Sequence, residues 1–282
     1  RDRLLLLSMV AAVIEGQQAA AGAALAAAGN ALLPVAEALA AAPAARWWWQ
    51  PVDRNAQRWV GADGAVPPRG TGVTEAARRI VAEEEQDEDQ ENFRPASRFW
   101  PSKRDVEHSG SWWSAPLGGT VFTTTGPIDL LPAVELGCVA DSAGEEQVQV
   151  WAVDIDAAAR VREIGGPADW TRLTSEFPRD VTGSRGYDWG RRTGQTGPWV
   201  LPDWSALARE WDGIHLSVGG WLTAGGLPLP AGNATTLLLG WDPDRTLWLN
   251  DVFAKVEYIR PWRGSPGSEA MPDVIRPWLK HH

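Results

Sequence analysis

Apolar residues follow two different periodicities on either side of an acidic run at residues 83–91. Before the run, the chain from Arg1 to Arg46 contains 18 alanines and spaces its larger apolar residues as a helix does. After it, short stretches such as residues 147–151 alternate polar and apolar side chains, which is the pattern of half-buried strands. The sequence therefore predicts an α+β fold, in which an Ala-rich helical hairpin precedes a mixed α+β domain with short strands.

We expect four segments along the chain. Seven of the nine residues in the acidic run are acidic and repel one another, which predicts a solvated boundary there. The segments are an Ala-rich helical module at 1–60, a Gly/Pro and acidic linker at 61–92, the mixed domain at 93–260, and a Pro/Gly-rich tail at 261–282. The terminal His281 and His282 are interpreted as the remnant of a purification tag.

Charge and cysteine content exclude several classes of protein. A net charge of -10 argues against bulk nucleic-acid binding, in which basic residues neutralise phosphates. With Cys138 as the single cysteine, an internal disulfide and a tetrathiolate zinc site are excluded, and no His-Glu-x-x-His motif indicates a metal.

Near the N-terminus, the apolar run from Leu4 to Ile14 covers about eleven residues, fewer than the roughly 20 that span a bilayer. We therefore expect no transmembrane segment and favour a cytoplasmic location, with secretion as the alternative because the start is basic. The small side chains of the N-terminal helices suit self-association or a protein partner.

Several local patterns predict individual elements of the mixed domain. Residues 160–164 read as a strand, Pro167 suits the first turn of a helix, and Asp203 can cap another. Residues 213–218 alternate, which places His215 on the strand face opposite Ile214. The last pattern predicts a hairpin, with strands at 235–239 and 245–249 on either side of a turn-prone segment.

Three polar patches are candidates for the walls of a cleft. In the sequence of the first patch, Gly110 is flanked by His108, Ser109, Trp113 and Ser114. A glycine, hydroxyl groups and an aromatic face together suit a nucleotide-type ligand. The alternative is a loop with aromatic anchors.

The second patch contains Asp212 and His215, whose spacing is similar to the terminal Asp-x-x-His block of GDSL-type esterases. Those enzymes need an N-terminal Gly-Asp-Ser, and Ala140-Asp141-Ser142 stands too close to His215 to replace it. The third patch contains Asp242 and Asp244, paired carboxylates that can act as acid and base or steady a positive charge. They can equally be the residues of a hairpin turn.

Taken together, the segments Ser111 to Ser114, Asp212 to Ser217 and Gly240 to Thr246 resemble a family of uncharacterised actinobacterial proteins. The order of these segments is distantly similar to that of ADP-ribosyltransferases. This resemblance implies a split sheet and NAD as a substrate. The resemblance also implies a role for four residues: His108 holds the nicotinamide ribose, Trp113 stacks on nicotinamide, Ser114 supports the cleft, and Asp244 replaces the usual glutamate. Thr123-Thr124-Thr125 is a rival for the Ser/Thr segment.

The resulting hypothesis is an enzyme that transfers ADP-ribose from NAD to an acceptor. Its candidate catalytic residues are Asp244, His215 and Asp242, and its candidate cofactor-binding residues are His108, Ser109, Trp113, Ser114 and Asp212. A carboxylate at the ribose stabilises the positive charge that develops when the nicotinamide bond breaks. The alternative is a non-catalytic interaction protein, which binds partners through the helical hairpin and a surface rich in the chain's 18 tryptophans.

Overall fold

The computed structural model describes residues 41–62, 64–92, 112–116, 121–125 and 147–263, with isolated positions at 34, 37 and 38. The predicted helical hairpin and the tail beyond residue 263 lie outside the described residues, as do His108 and Ser109. A 3₁₀ helix, Pro43–Trp49, opens the described part.

Eleven strands and five α-helices are assigned within these residues. The strands are β1 (Gln57–Ala62), β2 (Phe122–Thr125), β3 (Gln147–Ile155), β4 (Val161–Ile164), β5 (Pro178–Asp180), β6 (Val200–Pro202), β7 (Gly213–Leu216), β8 (Leu229–Ala231), β9 (Ala234–Thr236), β10 (Arg245–Trp248) and β11 (Phe253–Arg263). The helices are α1 (Gly72–Asn92), α2 (Pro167–Glu176), α3 (Thr182–Thr193), α4 (Trp204–Glu210) and α5 (Val218–Ala224). The predicted α+β class is confirmed.

Seven strands form one mixed sheet in the order β11-β3-β1-β2-β10-β7-β4. All neighbouring pairs are antiparallel except β4 and β7, which run parallel. Two further pairs, β5 with β6 and β8 with β9, make small two-stranded sheets. Most neighbours in the large sheet are distant in sequence, so its centre collects residues from many parts of the chain.

Local sequence signals account for several elements. The alternation from Gln147 continues as the long strand β3. Pro167 begins α2, which buries Trp170 and Leu173 one turn apart, and the side chain of Asp203 caps α4 by accepting the backbone N–H of Ala206 at 2.6 Å. These three predictions match the structure.

The predicted hairpin at 235–249 is wrong. β9 ends at Thr236 and pairs with β8, whereas β10 pairs with β2 and β7. The intervening backbone has other partners, because Leu238 accepts the N–H of Gly226 and Leu239 accepts that of Ser114. Non-local hydrogen bonds therefore override the local turn pattern.

The acidic run at residues 83–91 is also not the expected linker, because it forms the second half of helix α1. This helix buries Val73, Ala77 and Ile80 in the main core. Three of its acidic side chains bind groups far along the chain: Glu84 pairs with Arg185, Glu85 accepts from Ser205, and Asp89 pairs with Arg179. These donors offset the mutual repulsion of the run.

Tryptophan fills much of the core. Six indoles are under 2 % exposed, namely Trp59, Trp170, Trp189, Trp199, Trp204 and Trp248. Phe122, Trp170 and Trp204 meet Trp241 edge to face, with ring centroids 5.8–6.2 Å apart. In the described part of the chain, no helix has the length and apolarity needed to cross a bilayer.

Candidate functional site

Three strands bring a histidine between two carboxylates. Strand β4 runs parallel to β7 with Glu163 opposite His215, and β10 runs antiparallel to β7 with Thr246 opposite His215. Residues paired across strands share one face of the sheet. Asp244 comes directly before β10 and reaches the same face.

The side chain of His215 contacts both carboxylates. Its Nδ1 lies 2.5 Å from Oε2 of Glu163, and its Nε2 lies 3.1 Å from Oδ1 of Asp244. The second oxygen of Glu163 accepts the backbone N–H of Val52 at 3.0 Å. Thr125 donates its backbone N–H and its hydroxyl to the two oxygens of Asp244, both at 3.1 Å.

The backbone of Asp244 lies in the left-handed region, with φ of 55°. Outside glycine, this conformation is found mainly at Asn and Asp, and such residues concentrate at functional sites. The two bonds from Thr125 and the contact with His215 hold the carboxylate in this turn. The turn thus sets the position of Asp244 against the imidazole.

Burial alone would lower the pKa of His215, because the ring is fully buried. The hydrogen bonds to Asp244 and Glu163, together with their negative charges, outweigh burial and raise the pKa to about 9. At neutral pH the imidazole is therefore protonated and donates to both carboxylates. In this state both ring nitrogens carry a proton and the ring acts as a hydrogen-bond donor.

The two carboxylates differ in their access to solvent. The side chain of Glu163 is 35 % exposed, whereas that of Asp244 is 7 % exposed. A substrate that reaches the cluster from solvent meets Glu163 first. Glu163 was missed by the sequence reasoning, because its pairing with His215 depends on a parallel register between strands 52 residues apart.

The other predicted catalytic residue, Asp242, binds elsewhere. Its carboxylate pairs with Arg245, whose guanidinium also lies over the Phe122 ring at 4.6 Å. Of the three predicted catalytic residues, the structure brings His215 and Asp244 into contact. No hydrogen bond between Asp242 and either of them is seen in the described part of the chain.

The predicted cofactor-binding residues that the structure describes have internal partners. Ser114 is buried, donates its hydroxyl to the carbonyl of Leu237 at 2.6 Å and accepts the N–H of Leu239 at 2.9 Å. Trp113 donates its indole N–H to Glu84 at 3.1 Å, and its carbonyl accepts Nε of Arg185 at 2.9 Å. Both residues tie their segment to neighbouring elements.

Asp212, the residue before β7, forms hydrogen bonds and an ion pair that fix the start of this strand. It accepts the backbone N–H of Arg160 at 2.8 Å, pairs with the Arg160 side chain at 3.3 Å and accepts the amide of Asn250 at 3.1 Å. Burial would raise the pKa of Asp212, but these hydrogen bonds and the charge of Arg160 lower it. These contacts account for Asp212 without a ligand.

An exposed aromatic side chain lies on the segment that leads to Val52. Trp49 is 43 % exposed and packs on Gly219, where an added Cβ would meet its ring. It stands three residues before Val52, the backbone donor to Glu163. Three residues of chain, which span at most about 11 Å, therefore join Trp49 to the backbone donor that binds Glu163.

Within the described ranges, no group of three or more His, Cys, Asp or Glu side chains is arranged to hold a metal ion. Comparison of the chain with protein-family models, with curated proteins and with solved structures gives no match.

Proposed function

We propose that the protein cleaves the bond between nicotinamide and ribose in NAD and transfers ADP-ribose to an acceptor, in the manner of ADP-ribosyltransferases. The observation that carries the proposal is the Glu163–His215–Asp244 cluster, in which a part-exposed carboxylate is held by a buried, protonated imidazole. The proposal assigns Glu163 the role that the resemblance to ADP-ribosyltransferases gave to Asp244. It also includes the finer fold expectation of an ADP-ribosyltransferase-like sheet.

The chemistry requires a fixed negative charge beside the sugar. When the bond from ribose C1′ to the pyridinium nitrogen breaks, the electron pair leaves with neutral nicotinamide and positive charge develops on the ribose. Glu163 stabilises that charge more strongly in the transition state than in the ground state. The acceptor's nucleophilic atom then bonds to C1′ and gives up its proton to Glu163 or to water.

The neighbours of Glu163 prepare it for this task. The N–H of Val52 and the imidazolium of His215 each fix one of its oxygens, so the carboxylate is oriented before substrate arrives. His215 is a positioning residue in this scheme, since its two ring nitrogens are engaged. Trp49 offers a face for the flat nicotinamide ring, and cationic rings are attracted to indole faces.

The test is nicotinamide release from NAD, measured by chromatography. The wild-type protein should release nicotinamide, and Glu163→Gln should lower the rate by about 100-fold or more, in the range found when one preorganised electrostatic group is removed. Glu176→Gln is the matched control, because Glu176 is a part-exposed glutamate at the end of α2 that pairs with Arg162 of β4. A wild-type protein that melts cooperatively and releases no nicotinamide would contradict the proposal.

A second candidate is a non-catalytic interaction protein. It is favoured by the exposure of Trp112, at 47 %, and of Trp49 in a chain that buries most of its described indoles. In this case the polar cluster serves only to specify the fold. A dimer by light scattering that dissociates on Trp112→Ala, without nicotinamide release, would support this function over the first.

A further inference from the structure

A continuous row of polar side chains, all buried except the part-exposed Glu163, crosses five adjacent strands of the large sheet, β1, β2, β10, β7 and β4. Its members are Gln57, Thr123, Thr125, Asp244, His215 and Glu163, with the indole of Trp248 joined to Thr123. Buried polar groups need partners, so the direction of each hydrogen bond in the row matters.

The direction is set at Trp248. An indole N–H only donates, and it donates to Oγ1 of Thr123 at 2.7 Å. The single hydroxyl proton of Thr123 is then free for another acceptor, which is Oε1 of Gln57 at 2.5 Å. This contact assigns the oxygen of the Gln57 amide.

The orientation of Gln57 determines the next bond. Its amide nitrogen donates to the carbonyl of Asp53 at 2.9 Å and to Oγ1 of Thr125 at 3.4 Å. The carbonyl of Asp53 only accepts, so a rotated amide would place two acceptors against each other. Because Thr125 accepts from Gln57, its own proton points to Oδ1 of Asp244.

At the far end of the row, Val52 donates its backbone N–H to Glu163. The carboxylate of Glu163, like that of Asp244, therefore acts only as a hydrogen-bond acceptor. The charged groups that interact with His215 are Glu163 from β4 and Asp244 from the turn before β10. Donors therefore converge on both carboxylates, and the imidazole between them is held as a donor on both sides.

We infer that Thr123 and Gln57 are positioning residues for the Glu163 carboxylate, acting through Thr125, Asp244 and His215 without touching substrate. The effect of Thr123 and Gln57 on a reaction rests on the proposed function. The direction that they impose on the hydrogen bonds of the row does not depend on that function. If Thr123 loses its hydroxyl, Gln57 keeps its bond to the carbonyl of Asp53 but loses the donor to its oxygen, so its amide is held less firmly against Thr125. The hydroxyl of Thr125 is then less firmly placed beside Asp244, and the carboxylate is held less firmly against His215.

The experiment compares Thr123→Val with Thr124→Val by NMR titration of the histidine ring. Thr124 is the matched control, because its buried hydroxyl has no hydrogen-bond partner and strand alternation places it on the opposite face. His215 is one of four histidines, and its signal is assigned by its loss in His215→Asn.

In Thr123→Val we expect the pKa of His215 to fall from about 9 to about 8, because one hydrogen bond to a charged partner weakens. Thr124→Val should keep the wild-type value, and Thr123→Ser, which retains the hydroxyl, should restore it. A value in Thr123→Val equal to or above that of the wild-type protein would overturn the inference. If Thr123→Val does not fold, Trp248→Phe removes the same direction-setting donor and is expected to lower the pKa likewise.

Nicotinamide release provides a second readout. With Thr123→Val, we expect kcat to fall roughly tenfold with little change in KM, less than the hundredfold that a displacement of about 1 Å gives. An unchanged kcat in a protein whose His215 pKa has fallen would contradict the link to Glu163. If the wild-type protein releases no nicotinamide, the proposed function fails, and the NMR comparison still decides whether the row positions His215.

Discussion

Raising the pH should remove the stabilisation that His215 gives to the folded chain. The folded pKa of about 9 exceeds the ordinary value of 6.5 expected in the unfolded chain, so folding favours the protonated ring. Below pH 6.5 both states are protonated and the stabilisation is complete. Above pH 6.5 the unfolded chain loses its proton first, and the free energy of unfolding falls as pH rises until the folded ring also titrates near pH 9.

The magnitude follows from the difference of about 2.5 between the two pKa values. At 1.36 kcal/mol for each pKa unit, the full effect is about 3 kcal/mol, with a slope of about 1.4 kcal/mol per pH unit between the two values. This is a large share of the roughly 5–15 kcal/mol that holds a typical domain folded.

Urea denaturation at intervals between pH 6 and pH 10 provides the assay. The quantity to compare is the difference in free energy of unfolding between the wild-type protein and His215→Gln, since other titrating groups contribute equally to both. That difference should shrink by about 3 kcal/mol across the range. A constant difference, or one that grows with pH, would refute the pairing of His215 with two charged carboxylates.

Two further substitutions test other contacts. Thr246→Val should raise the free energy of unfolding by about 1 kcal/mol or more, because the fully buried hydroxyl of Thr246 has no hydrogen-bond partner. Urea denaturation measures this free energy, and Thr246→Ser, which keeps the hydroxyl, should show no gain. A lower free energy of unfolding in Thr246→Val would contradict the claim that the hydroxyl is unpaired. Glu84→Gln should lower the free energy of unfolding by about 3 kcal/mol, since it removes the charge of Glu84 from its ion pair with the buried guanidinium of Arg185. In the same assay the exposed neighbour Glu83→Gln should change it by less than about 0.5 kcal/mol, and equal effects would show that the ion pair is unimportant.

The elements that sequence reasoning predicted correctly are those specified by neighbouring residues. The strand from Gln147 follows from alternation, and α4 follows from its cap at Asp203. The alternation also placed His215 on the strand face opposite Ile214, and the register agrees.

What could not be predicted depends on pairing between distant segments. Glu163 carries no local signal, because it meets His215 only when β4 lies parallel to β7. The acidic run forms part of α1 because Arg179, Arg185 and Ser205 supply donors from later in the chain. In both cases the decisive partner is about 50 residues or more away in sequence, beyond the reach of periodicity.

The order of strands in the large sheet also bears on how the chain folds. The polar row needs Gln57 from β1 and Trp248 from β10 in place together, which closes a loop of almost 200 residues. Such high contact order slows folding, because chain entropy must be lost before the distant contacts form. The Glu163–His215–Asp244 cluster itself closes shorter loops of 52 and 29 residues, and a nascent chain that has not yet emerged past Asp244 holds His215 with one carboxylate at most.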